Sequence, residues 1–108
     1  MFGFNIGGKT NAGGYLSPVV VGFPVVKSES DPIIVGSGLD CSTGTWILLY
    51  EPINFSYQWY KDGDMLVGET NINYTTTTSG EYYCKVTATN DLGNSTTVNS
   101  NKVTVITV

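Results

Sequence analysis

Histidine and arginine are both absent from this chain, and cysteine occurs only twice. Without histidine, the Ser-His-Asp and Cys-His routes to nucleophilic catalysis are closed. With no histidine and two cysteines a conventional zinc site is nearly excluded, and no cofactor is expected. A pair of carboxylates is the one catalytic constellation still formally open, and no nucleophile–base spacing stands out. Five lysines face nine acidic residues, for a net charge of −4. Nucleic-acid binders need clustered Lys and Arg against phosphate, so that function is not expected. Long apolar runs are also lacking. The longest, Tyr15 to Val26 (YLSPVVVGFPVV), is too short to span a bilayer and is interrupted by Pro18, Gly22 and Pro24. Only Lys9 precedes it, and no small-residue cleavage site follows it. It reads as an extended apolar segment rather than a secretory signal, and membrane insertion is not expected.

What the chain does contain is the vocabulary of strands and turns. Gly, Thr, Val, Asn and Tyr are abundant, and charged residues make up 13%. A length of 108 residues suits about one domain. From Asn54 to Lys61, Phe55, Tyr57 and Trp59 alternate with Ser56, Gln58 and Tyr60, the period of two expected of a strand. Asp62-Gly63 then predicts a tight turn. Further strands are expected at Pro32–Val35, Gly38–Ser42, Met65–Val67, Asn71–Thr76 and Glu81–Thr89, with Tyr82, Cys84, Val86 and Ala88 on one face of the last. Ser95–Val108 reads as a long final strand bulged around Asn99–Asn101. No helix longer than a turn is expected. Short strands at this spacing imply a sandwich.

The order Cys41, Trp59, then Tyr82-x-Cys84 is the core signature of an immunoglobulin-like β-sandwich. Cys41-Ser-Thr-Gly-Thr-Trp46, Phe55-Ser-Tyr-Gln-Trp59-Tyr-Lys-Asp-Gly63 and Val86-Thr-Ala-Thr-Asn90 resemble the Ig-like modules of bacterial surface proteins and tailed-phage virion proteins, over roughly residues 31–108. The resemblance implies an all-β, non-catalytic domain displayed on the outside of a virion or cell. It also implies a core in which Cys41 and Cys84 project toward one layer, as a disulfide or as two buried thiols, with Trp59 packed on them. The Tyr82 hydroxyl would bond to nearby backbone. The chain departs from the family pattern in two places. Thr78 stands where an Asp is common, so the usual corner ion pair is not expected. The Cys41–Trp59 interval is long and holds the apolar Trp46-Ile-Leu-Leu-Tyr50.

Ahead of this domain, residues 1–30 read as an extended N-terminal anchoring arm ending in a polar linker at Lys27–Asp31. Phe2, Phe4 and Ile6 alternate against small or polar residues, and Gly pairs let the chain bend. Phe2, Phe4, Ile6, Tyr15, Val19 and Val21 are the candidate docking residues, since an apolar arm outside a closed sandwich needs another surface. The resulting expectation is a decoration-type protein on the outer surface of a phage particle, in many copies. Capsid or tail subunits would be its partners and host-surface glycans a further contact. A tail, neck or fibre module, or a bacterial surface adhesion domain, is the alternative. The carboxylates Asp62, Asp64 and Asp91 could suggest calcium, but their spacing is far from a calcium loop and fits solvated turns better. Asn54-Phe-Ser, Asn73-Tyr-Thr and Asn94-Ser-Thr match the glycosylation sequon, as chance predicts in so Asn- and Thr-rich a chain.

Overall fold

A computed structural model describes residues 16–47 and 50–108. These residues form an all-β structure with no helix. Its strands are β1 (Val19–Gly22), β2 (Val26–Lys27), β3 (Gly38–Cys41), β4 (Thr45–Ile47) and β5 (Asn54–Lys61). They continue as β6 (Asp64–Met65), β7 (Asn73–Thr75), β8 (Gly80–Thr89), β9 (Ser95–Asn99) and β10 (Val103–Val105). The largest sheet runs β10-β8-β5-β6, with β9 also on β8; a second runs β2-β3-β7; β1 and β4 form a separate pair.

The antiparallel pairing of β5 with β8 is the frame. It aligns eight residue pairs, from Asn54↔Thr89 to Lys61↔Tyr82, and places Trp59 opposite Cys84. Side chains alternate across a strand, so Tyr82, Cys84, Val86 and Ala88 are all buried while the residues between them are more exposed. The second sheet supplies Val26, Leu39 and Cys41 to the same core. Two sheets sharing one apolar layer are compatible with a β-sandwich. Trp59 is fully buried. Its indole N–H donates to the Asn71 carbonyl at 2.7 Å, so the ring is dry without an orphan donor. The Tyr74 ring lies 6.0 Å from it and 5.8 Å from that of Tyr82. The Tyr82 hydroxyl donates to the Thr78 carbonyl at 2.7 Å.

Cys41 and Cys84 are buried free thiols. A hydrogen bond between them and, secondarily, burial push the Cys41 thiol well above its ordinary value. Both alternatives for this pair place it in the core, where its sulfurs act as small apolar groups.

The Asp62-Gly63 turn forms as the sequence predicts, with φ of 51° and 87°. Positive φ at both central residues is the two-residue hairpin geometry that Asp-Gly favours. Asp62 also reaches sideways. One carboxylate oxygen accepts the Glu81 N–H at 2.9 Å and the other accepts from Lys61 Nζ at 3.0 Å. These bonds hold its carboxyl below the ordinary 3.8, the backbone bond contributing most.

The final strand is interrupted where a bulge is expected. β9 pairs with Lys85–Thr89 and β10 with Gly80–Tyr82, leaving Ser100–Lys102 between them. Ser100 repairs the ladder with its side chain, accepting the Cys84 N–H at 2.9 Å while its own N–H donates to Cys84 O at 2.8 Å. The expected strand at Pro32–Val35 is reduced to one parallel bridge, Ile34↔Ile106.

Residues N-terminal to the boundary expected at Lys27–Asp31 pair with strands of the body. β1 pairs with β4, and β2 pairs with β3 through Val26↔Cys41 and Lys27↔Asp40. Val26 is in the core. Asn101 holds it from the other side, accepting the Val26 N–H at 2.7 Å and donating to the Val26 carbonyl at 3.0 Å. Residues 16–27 therefore belong to the folded body, because burial of Val26 and these amide bonds outweigh the freedom of a tail.

These contacts set three expectations. Trp59→Ala removes a fully buried indole and should cost about 3–5 kcal/mol. That is a large part of the roughly 5–15 kcal/mol of a small domain; an unchanged urea midpoint would exclude Trp59 as the core anchor. Asn101→Ala should cost about 1–3 kcal/mol and speed hydrogen exchange at the Val26 amide above all others in the second sheet. Asp62 has a lowered pKa when folded, so its stabilisation is present above 3.8 and is lost as pH falls through the lowered value. Denaturation curves should show wild-type stability falling more steeply than that of Asp62→Asn below that pH. Parallel decline would show that the carboxylate is not the acid-sensitive group.

Candidate functional site

From Val19 to Val26 the chain alternates without a polar residue. Val20, Gly22, Pro24 and Val26 turn toward the body, with Pro24 and Val26 buried. Val19, Val21, Phe23 and Val25 turn outward and are exposed, Val21 by 65%, Phe23 by 61% and Val25 by 51%. Ile47, paired with Val19, extends the same face from β4. Five large apolar side chains thus stand along about 20 Å of extended backbone. A strand with one face in water normally alternates apolar and polar residues. This extended segment, β1 and the residues joining it to β2, is apolar at both alternating sets of positions, and exposed apolar surface of this kind marks an interaction site.

The strip is held rigidly from beneath. Trp46 is buried, opposite Val20 in the register; its ring lies 6.2 Å from that of Phe55, and its indole donates to Thr43 O at 2.7 Å. Gly44, at φ 84°, lets the strip lie close: a Cβ there would fall 2.6 Å from the Gly22 carbonyl oxygen. Val25 exchanges bonds with Ser42, whose hydroxyl accepts the Val25 N–H at 2.9 Å and whose N–H donates to Val25 O at 3.0 Å. At its start, the side-chain amides of Asn90 and Asn94 donate to Leu16 O at 2.7 and 3.1 Å, and Thr96 Oγ1 donates to Pro18 O at 2.6 Å. The β8–β9 hairpin therefore grips the entry to the strip through side chains.

Of the sequence-predicted docking residues, Val19 and Val21 lie on this strip. Phe2, Phe4, Ile6 and Tyr15 lie outside the described residues. Phe23, Val25 and Ile47 were not among the candidates. The parity of the run contained the signal for the first two: Pro18 and Pro24 are six apart, on the inward phase, which leaves the odd positions outward. Ile47 needed the β1–β4 pairing, which has no local signature. Cys41, Trp59, Tyr82 and Cys84 are brought together as core. Among the described residues no group of three metal-ligating side chains is found, and Asp62 is committed to its own turn. Among them, too, no helix is long and apolar enough to cross a membrane.

No protein-family model, no curated protein and no solved structure matches this chain.

Proposed function

We propose that the chain is a non-enzymatic, immunoglobulin-like module of a phage particle, docked on a capsid or tail subunit through its N-terminal segment and presenting the rest of the sandwich outward. The Ig-like reading is supported by Cys41 and Cys84 on different sheets of one core, by Trp59 opposite Cys84, and by the Tyr82 hydroxyl bound to the Thr78 backbone. Docking is carried by one observation: the exposed positions of Val19–Val25 are all apolar, on an extended segment pinned to the domain. A rigid apolar strip loses little conformational entropy when covered. The apolar side chains supply affinity against a partner's groove or sheet edge. Many copies on one particle make even weak outward contacts effective.

The substitution pair Val21→Asp and Phe23→Asp tests this. Both sites are exposed, so the domain should melt within about 0.5 kcal/mol of wild type. Docking should weaken about a hundredfold or more, since two large apolar side chains no longer leave water. Particles assembled without the chain and then supplied with either form should retain wild type on sedimentation and lose the variant. Full occupancy by the variant would remove the strip as the anchor.

A further inference from the structure

The outward face of the main sheet carries a second, chemically different cluster. Tyr60 and Tyr83 are directly opposed on β5 and β8, and their rings stack at 5.0 Å with planes 9° apart. Lys85 Nζ lies 5.0 Å from the Tyr60 ring centroid and Lys102 Nζ 5.8 Å from that of Tyr83. Cation–π contact fixes ammonium groups that would otherwise sample many rotamers. Lys61, by contrast, is engaged by Asp62 at 3.0 Å. An acidic chain thus gathers two of its few cations on one aromatic base. Glu81 is the carboxylate on this face and approaches Lys102 at 3.9 Å. Along the same face the next positions are hydroxyls, Ser56, Thr87 and Thr97, in one cross-strand row. Thr87 and Thr97 share a hydrogen bond of 2.7 Å.

We propose that this face binds an acidic saccharide, with Lys85 and Lys102 taking a carboxylate and the hydroxyl row taking neutral sugar hydroxyls. Charge density selects the class. A nucleic acid presents one charge per about 3.4 Å of strand, which two lysines on a chain of net charge −4 cannot match. A saccharide with sparse carboxylates and many hydroxyls matches both halves of the face. The stacked rings cover each other, so they serve to position the ammonium groups, while their hydroxyls add donors at the rim. Tyr60 lies six residues along β5 from Asn54, about 20 Å, and the Asn54 end is the one whose neighbouring hairpin grips Leu16 and Pro18. The entry of the strip thus lies at the opposite end of β5, while its other end, Val25, adjoins Val26, which Asn101 binds beside Lys102. The binding does not rest on the docking reading above, and the test uses the free chain.

Oligomers of hyaluronan, with one carboxylate per disaccharide, titrated into the isotope-labelled full chain, should shift amide resonances of β5, β8, β9 and Lys102. The double variant Lys85→Ala, Lys102→Ala should weaken binding at least about tenfold. Lys27→Ala, a surface cation on another sheet, should leave it unchanged, and Glu81→Gln should strengthen it by removing a competing carboxylate. The spectrum of each variant reports its fold directly. Absence of shifts, equal binding of neutral dextran oligomers, or loss in Lys27→Ala equal to that in the double variant would each overturn the proposal. Equal, lysine-dependent binding of oligothymidylate would overturn the saccharide assignment in favour of a general anion site. None of these results bears on incorporation into particles.

Discussion

The Trp59 indole is the constraint on which the other contacts converge. It must be dry, because no smaller side chain fills the space between the two larger sheets, and its N–H must still be bonded, because a buried unpaired donor is costly. Both needs are met only when the loop after β6 delivers the Asn71 carbonyl to the core edge. The same loop supplies Glu69 O to the Trp59 backbone N–H at 3.0 Å. One side chain therefore ties the main sheet to the path by which the chain crosses to the second sheet. The aromatic succession from Trp59 through Tyr74 to Tyr82 continues that tie to the Thr78 corner.

Around this core the molecule separates two kinds of surface. The strip is apolar, narrow and backed by a buried tryptophan of its own. The face bearing Tyr60 and Tyr83 is polar, broad and built on the longest pairing in the structure. Neither draws on the core residues, so each can vary without disturbing the fold.

The main sheet was legible in the sequence because its signals are local. The alternation in Asn54–Lys61 fixes β5 to the residue and the Asp-Gly turn fixes its hairpin, whose second strand, expected at Met65–Val67, forms at Asp64–Met65. Tyr82-x-Cys84 with its alternating sequel fixes β8. The strip was half legible. Val19 and Val21 stood out as apolar, but their attachment to the body did not, since it depends on Thr45–Ile47 and on Asn90, Asn94, Thr96 and Asn101. Side-chain amides and a hydroxyl reaching over 70 residues back along the chain leave no periodic trace. A short apolar segment before a polar linker is equally compatible with a free arm, and only the burial of Val26 decides between them. The Tyr60–Tyr83 face was overlooked for a similar reason: the tyrosines are 23 residues apart, and only the β5–β8 register makes them neighbours.

The three residues between β9 and β10 acquire a particular significance in this light. Ser100 turns inward to the Cys84 amide, Asn101 turns to Val26 of the second sheet, and Lys102 turns outward over Tyr83. Three consecutive side chains thus address the core, the N-terminal segment and the solvent face. The segment behaves as a fixed-length connector. Adding or deleting one residue there would displace all three at once. Among related chains, an unbroken Ser100–Lys102 connector between β9 and β10 would therefore be a stricter mark of this architecture than the identity of any loop residue.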